Sequence, residues 1–378
     1  MKPLSLYLHL PFCKKKCFYC DFLSFQSNEE EQNVYIKGLI NEIKGYKGIK
    51  EEYSIKSIFL GGGTPSVISK EHIRMVFEEI KRNFTLDKNI EITIEVNPGT
   101  VDVEKLITYK EIGINRLSIG LQSTDNEFLQ KLGRIHNYEK FLDTYNMARE
   151  VGYNNISIDL IFGLPELTLE KWEKTLRTVI DKNPEHISCY SLIIEEGTPF
   201  HKLYESGDID YLNEDIEREM YRVTKNILEK NNYFQYEVSN YAKKNHESYH
   251  NCVYWTGKEY LGLGLGAASY MNQVRYKNTD NMKDYINYSN KPSAIRVEES
   301  VLSEQDLMEE FMFLGLRLIK GVSKEDFRIR FNIFIEDVYG DVILELEKKA
   351  LINNDKDKIQ LTAKGIDLSN YVLSEFLL

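Results

Sequence analysis

Cysteine is scarce in this chain, with five residues in 378, and three of the five fall between positions 13 and 20. A disulfide framework spreads an even number of cysteines through a small secreted chain, so this count and clustering argue against one. No apolar run reaches the roughly 18–20 residues that a membrane-spanning helix needs. The opening segment Met1–Leu10 leads straight into Cys13 and three lysines and lacks a small-residue cleavage site, which predicts a cytoplasmic protein. Basic residues are in deficit: 48 Lys and Arg against 59 Asp and Glu leave a formal charge of −11. That balance argues against a general nucleic-acid binder and against simple attraction to anionic lipid. Internal repeats and low-complexity tracts are absent.

What is present is a rhythm. Short β-rich runs occur at Leu4–Leu10, Ile55–Leu60, Ile90–Val96, Arg116–Leu121, Ile156–Phe162 and His186–Ile194. Between them lie stretches of helical periodicity, such as Ile73, Val76, Phe77 and Ile80, or Trp172, Leu176, Val179 and Ile180. Strands alternating with helix-length segments predict an α/β fold with a parallel sheet and right-handed crossovers. Six units predict a partial (βα)6 barrel, open on one side, because the two further strands of a complete barrel are not found.

Beyond Ile194 the pattern changes. Glu196–Asp215 is turn-rich, and a helix follows with Ile216, Met220, Val223 and Ile227 on one face. Asn278–Glu299 is polar, contains Pro292 and reads as a linker. From Val301 onward, two or three helical segments and a short strand at Lys358–Leu361 predict a mostly helical, winged-helix-like module. Its 10 Lys and Arg against 15 Asp and Glu favour a packing or partner module over a DNA reader. The expected organisation is a core over 1–240, an extension over 241–300 and a C-terminal module over 301–378.

The strongest chemical signal is Cys13-x3-Cys17-x2-Cys20, on a loop directly after the first predicted strand. Zinc sites are normally closed by four ligands, and no fourth Cys or His is near. Three thiolates on a [4Fe–4S] cluster leave one iron for a non-protein ligand. The amino and carboxylate groups of S-adenosylmethionine can fill that place, and reduction then cleaves its sulfonium. The alternatives are a zinc knuckle completed by His250 or Cys252, or three unrelated thiols. Other notable residues also fall at the ends of predicted strands. Gly61–Gly63 lets backbone approach a polar ligand, or is an ordinary βα turn. Glu95 and Asp159 suit ribose hydroxyls or an ammonium group, or cap the following helices. Arg134 can clamp a carboxylate, although an exposed Arg is the commoner case.

With Tyr7-Leu8-His9-Leu10-Pro11-Phe12 ahead of the cysteines, the sequence resembles the radical S-adenosylmethionine family, in the branch that holds oxygen-independent coproporphyrinogen III oxidase and heme chaperones. The resemblance covers nearly the whole chain. Its local motifs are Gly61-Gly62-Gly63-Thr64-Pro65, Glu95-Val96-Asn97-Pro98, Ser118-Ile119-Gly120-Leu121-Gln122-Ser123, Gly133-Arg134 and Asp159-Leu160-Ile161-Phe162-Gly163-Leu164-Pro165. It implies that Tyr7 and Gly62, with Glu95, contact the cluster-bound S-adenosylmethionine. It also implies that Tyr19, Gly63, Thr64, Gln122, Arg134 and Asp159 correspond to the residues around a second molecule in the oxidase.

Two departures set the chain apart from the oxidase. The oxidase motif carries another cysteine two positions after the third, where this chain has Phe22, and only 12 residues precede Cys13. Conversely, His250-Asn251-Cys252-Val253-Tyr254-Trp255 matches the His-Asn-x-x-Tyr-Trp motif associated with the chaperones. Imidazole is a common heme ligand, and Tyr254 and Trp255 offer flat surface for a porphyrin. Cys252 is a second candidate ligand, and the plain alternative is a structural His250 with both aromatics in the core. Cys189, in a β-rich run, reads as buried and inert.

The expectation is a cytoplasmic heme chaperone that binds heme, a [4Fe–4S] cluster and S-adenosylmethionine and delivers heme to apo-hemoproteins. The rival is the oxidase, decarboxylating coproporphyrinogen III; a homodimer is compatible with either. Anaerobic reconstitution should load about four irons per chain. Replacing Cys13, Cys17 or Cys20 with Ala should abolish this, whereas Cys189→Ala should not. Stoichiometric zinc in protein purified anaerobically from iron-replete cells would refute the cluster.

Overall fold

A computed structural model describes residues 1–378. Six strands lie side by side and run parallel: β1 (Lys2–Leu10), β2 (Tyr53–Gly62), β3 (Thr85–Val96), β4 (Arg116–Gln122), β5 (Ile156–Phe162) and β6 (His186–Ser191). The helices α1 (Glu29–Gly45), α2 (Lys70–Asn83), α3 (Val103–Ile112), α4 (Asn126–Lys131), α5 (Tyr138–Glu150) and α6 (Leu169–Ile180) connect them. All six expected strands are in place, and β3 starts five residues earlier than its apolar run. No strand joins β6 back to β1, so the sheet stays open.

The edges were not foreseen. Beyond β6, the short strands β7 (Phe234–Gln235) and β8 (Asn240–Ala242) add antiparallel pairing. Between β6 and them come α7 (Pro199–Glu205) and α8 (Glu214–Lys230). Beyond β1, β9 (Tyr260–Leu263) pairs parallel, followed by antiparallel β10 (Ala268–Met271), β11 (Val274–Asn278) and β12 (Arg296–Val301). The polar stretch read as a linker is therefore structured: it holds α10 (Met282–Tyr288) and most of β12, preceded by α9 (Tyr249–Trp255). Its polarity belongs to an exposed edge strand rather than to a tether, since most of β12 faces solvent.

Strand alternation explains the layering. Leu4, Leu6, Leu8 and Leu10 of β1 are buried, as are Leu117, Ile119 and Leu121 of β4 and Ile156, Ile158 and Leu160 of β5. These share a core of 64 residues with the crossover helices. The intervening residues are polar or small: Ser5, Tyr7 and His9; Arg116, Ser118 and Gly120; Ser157 and Asp159. A period of two sends them to the opposite face.

The C-terminal module has its own core of 16 residues, which includes Tyr270 from β10. It opens with α11 (Glu304–Gly315) and carries a three-stranded antiparallel sheet whose central strand is Lys358–Leu361. Arg275 of β11 clamps Glu310 of α11 with bonds of 2.5 and 3.1 Å, fixing the module to the sheet edge. No helix is long and apolar enough to cross a membrane.

One buried carboxylate ties α1 to the added strands. Glu42 accepts hydrogen bonds from Gly264 N at 2.8 Å, Asn278 Nδ2 at 2.7 Å and Tyr285 Oη at 2.6 Å. Burial outweighs these three donors and pushes its pKa up to about 7. The folded protein therefore holds this proton more tightly than the unfolded chain. The resulting stability is full below the unfolded value and is lost as pH rises through about 7. Unfolding free energies of the wild type from urea titrations should fall between pH 5 and 7.5 relative to those of Glu42→Gln, by at most about 3 kcal/mol. Parallel pH profiles for the two proteins would contradict this.

Candidate cofactor site

The carboxyl ends of the six parallel strands surround a cavity of about 510 Å³. Cys13, Cys17 and Cys20 line it, on the loop between β1 and α1. That loop is braced by its own far end and by distant parts of the chain. Cys13 N donates to Phe25 O at 2.9 Å, Phe18 N to Leu132 O at 3.0 Å, and Phe200 N to Phe18 O at 3.0 Å. The turn after β2 is bonded to the same loop, Gly63 N to Leu10 O and Thr64 N to Phe12 O. A Cβ on Gly63 would lie 2.8 Å from the Phe12 backbone, so only glycine permits this approach.

Two groups touch the thiol sulfurs. Thr64 Oγ1 lies 3.4 Å from Cys13 Sγ, and Arg134 Nη1 donates to Cys17 Sγ at 3.4 Å. Arg134 Nη2 donates to Gly120 O at 2.7 Å and to Asn97 Oδ1, while Nε has no partner. Asn97 Nδ2 in turn donates to Thr64 Oγ1 at 2.9 Å. Arg134 is thus a brace for the cysteine loop, with its Nη donors committed, rather than a free carboxylate clamp.

The two acids face the cavity from strands instead of capping helices. Glu95 sits at the penultimate position of β3, and burial, with the nearby Asp159 charge, pushes it up to about 8. Asp159 lies within β5 and accepts from Ser118 Oγ at 2.9 Å and Ser157 Oγ at 3.1 Å, while burial still raises its pKa. Two buried carboxylates in one cavity favour a ligand that brings positive charge.

Of the residues expected here, Tyr19, Gly62, Gly63, Thr64, Glu95, Gln122, Arg134 and Asp159 all line the cavity with the three cysteines. Gln122 ends β4 at a positive φ of 71°, where the register with β5 shifts. Gly62, at φ 109°, would press any Cβ into the His9 ring, 2.6 Å away, so its contribution to the cavity is backbone. Tyr7 lies outside the lining: its hydroxyl donates to His9 Nδ1 at 3.0 Å, and His9 Nε2 donates to Leu23 O at 2.8 Å.

His250 is also elsewhere, 1% exposed. Its Nδ1 pairs with Ser57 Oγ at 2.8 Å and its Nε2 with Tyr254 Oη at 2.9 Å. Its ring stacks on Phe59, and burial with the Arg116 charge holds its pKa down to about 3. Neither nitrogen is free for heme iron or for completing a zinc site. Trp255 stacks under Arg317 of the C-terminal module, 4.6 Å from the ring centre, so the motif does not present an open porphyrin face. Burial pushes Cys252 up to about 11, away from the thiolate a metal needs, and Cys189 is buried with its pKa raised.

Sequence reasoning missed Asn97, Arg116, Ser188, Tyr190 and Asn251, which also line the cavity. The signal was available for those on strands: polar residues every second position in strands otherwise buried on both faces mark a lined interior.

Comparison with known proteins agrees with this geometry. The Radical SAM superfamily pattern matches residues 7–179, and the HemN C-terminal domain pattern matches 302–368. The heme chaperone HemW of Lactococcus lactis subsp. lactis (strain IL1403) is 37% identical over 377 residues, covering 100% of this chain and 98% of that protein. HemW of Bacillus subtilis (strain 168) is 36% identical, covering 99% of each. The chain belongs to the HemW family. Coproporphyrinogen III oxidase (HemN) from Escherichia coli, a radical SAM enzyme, superposes with a TM-score of 0.86 over 100% of this chain and 90% of that one. At 24% identity that likeness establishes the fold.

Radical SAM membership implies a [4Fe–4S] cluster and S-adenosylmethionine, and the cavity fits them: three thiols without a fourth, sulfurs met by donors, and two carboxylates that can meet a cation once ionised. Glu95 must lose its proton to meet that cation, so affinity should rise with pH up to about 8. Equilibrium dialysis of the cluster-loaded protein with S-adenosylmethionine at pH 6.5 and 8.5 should show this rise, and Glu95→Gln should flatten it. An equal rise in the variant would remove Glu95 from the contact.

Proposed function

We propose that this protein is a heme chaperone: it binds heme beside the cluster cavity, hands it to apo-hemoproteins, and does not decarboxylate coproporphyrinogen III. Cys13, Cys17 and Cys20 would hold the cluster, and Gly62, Gly63, Thr64, Glu95, Gln122 and Asp159 would receive S-adenosylmethionine. When bound, that pair supplies reductive cleavage of the sulfonium. Around it, the carboxylates neutralise positive charge, the glycine turn admits the ligand close to backbone, and Thr64 and Arg134 hold the sulfurs.

The observation that carries the chaperone reading is the cavity mouth. Phe22 stands where the oxidase motif has its further cysteine, and it is 64% exposed on the cavity rim with Ile193, which is 65% exposed. Tyr190 adds a half-exposed ring. Solvent-facing apolar groups around one opening suit a flat macrocycle that must be released again. The full-length likeness to proteins named heme chaperones supports the same reading. With both His250 nitrogens engaged, the rim is a better place for the porphyrin than the buried motif. The intact set of Glu95, Gln122 and Asp159 is what favours the oxidase as the second reading.

Hemin titrated anaerobically into cluster-loaded protein should bind near one per chain. Phe22→Ala and Ile193→Ala should each weaken it by about tenfold, since each removes apolar surface that the bound porphyrin would cover. The same sample given coproporphyrinogen III, reductant and S-adenosylmethionine should yield no protoporphyrinogen IX. Sustained turnover there would favour the oxidase.

A further inference from the structure

His186 opens β6 and is fully buried, and neither the cysteine loop nor the cavity rim uses it. Strand register places it beside Ser157 of β5, with Ser188 beside Asp159, so these four side chains share the inner face of the sheet. Hydrogen bonds join three of them to a residue outside the parallel strands. Tyr236 Oη lies 2.8 Å from His186 Nε2, and His186 Nδ1 lies 2.8 Å from Ser157 Oγ. Ser157 Oγ then donates to Asp159 Oδ1 at 3.1 Å.

The direction of each bond follows from the protons available. Ser248 N donates to Tyr236 Oη at 3.3 Å, and the other group at that hydroxyl is His186 Nε2. The Tyr236 proton therefore points at Nε2. Burial, with Arg116 and His246 nearby, holds His186 neutral, so its one proton sits on Nδ1 and is donated to Ser157. Ser157 directs its own proton to the carboxylate. The reverse order, starting from a protonated Asp159, would leave the Tyr236 hydroxyl with no acceptor. Each donor polarises the next and the last meets a carboxylate, so the chain favours the ionised acid.

The first link is held from outside the sheet. Tyr236 stands between β7 and β8, its carbonyl accepts from Ile319 N at 3.1 Å, and Glu237 bridges Leu318. Leu318 and Ile319 follow α11, so the C-terminal module fixes the backbone from which the chain starts. Asp159, at the other end, is under opposed influences. Arg116 of β4 favours its charge, whereas burial and Glu95 of β3 oppose it. On β6, His186 is held neutral, and burial keeps the nearby Cys189 and Tyr190 protonated.

We infer that Tyr236 and His186 are positioning residues of the cavity: through Ser157 they hold Asp159 ionised and oriented for a cationic ligand. The identity of that ligand rests on the reading above, in which Asp159 receives S-adenosylmethionine; the relay itself does not.

The relay is tested in the full chain without any cofactor. The infrared C=O band of protonated Asp159, identified by its loss in Asp159→Asn, follows the acid's titration directly. Ser157→Ala should move that titration to higher pH by about one pH unit, and Tyr236→Phe should move it less in the same direction. The double variant should titrate as Ser157→Ala does, because the Tyr236 hydroxyl acts only through Ser157; independent structural effects would add instead. An unshifted titration in Tyr236→Phe overturns the relay, as do additive shifts. Tyr236→Phe loses a single hydroxyl and decides the matter alone if Ser157→Ala fails to fold. In the cluster-loaded protein, the preference for S-adenosylmethionine over S-adenosylhomocysteine, which lacks the sulfonium charge, reads Asp159 at the ligand. At a pH between the two titrations, that preference should fall severalfold in Tyr236→Phe. A shifted titration with an unchanged preference upholds the relay and removes Asp159 from the ligand contact, a failure of the ligand assignment alone.

Discussion

Everything in this molecule depends on a polar surface enclosed by parallel strands. Such strands are usually apolar on both faces, because helices or a packed core cover each side. Here the outer face keeps that rule, with leucines and isoleucines against the crossover helices. The inner face carries serines, two acids and an arginine, which must find partners in the protein or in a ligand. Hydroxyls satisfy Asp159, whereas Glu95 is left chiefly with burial and repulsion, and Arg116 without a side-chain hydrogen bond or ion pair. The cavity is thus electrostatically incomplete in the protein alone.

The cysteine loop is organised largely from outside itself. Its three thiols are close in sequence, but the backbone that carries them is pinned by Phe25, Leu132 and Phe200, and its sulfurs are met by Thr64 and Arg134. A cluster potential responds to hydrogen bonds at sulfur and to burial. The donors at sulfur come from outside the loop, Thr64 lying 51 positions from Cys13 and Arg134 117 from Cys17. The Asn97 bridge between Thr64 and Arg134 joins these supports into one network, so the turn after β2 and the loop after α4 would position a cluster together.

Much of the site was legible because it sits at strand ends, where glycine turns and isolated acids stand out against apolar runs. The three cysteines, the glycine turn, Glu95, Gln122 and Asp159 were read in that way and share one cavity. Two candidate residues lie outside the cavity lining for a common physical reason. Tyr7 and His250 are aromatic or imidazole groups whose hydrogen bonds are made with partners invisible in the linear sequence: His9 for one, Ser57 and Tyr254 for the other. The supposed linker failed for a related reason, since an edge strand with solvent on its faces is as polar as a tether.

By itself, the sequence determined the open α/β architecture, the thiol cluster and the acidic character of the C-terminal module. Periodicity, local spacing and net charge survive projection onto one dimension. Only the tertiary structure decided which way each polar side chain turns and what it meets there. It made Arg134 a brace, His250 a wedge and Asn251 a cavity residue, and it brought Phe22 and Ile193 to one rim. These roles depend on burial and on contacts between residues far apart in the chain. The free energy of a buried charge is set by those neighbours, and they exist only once the strands have closed around it.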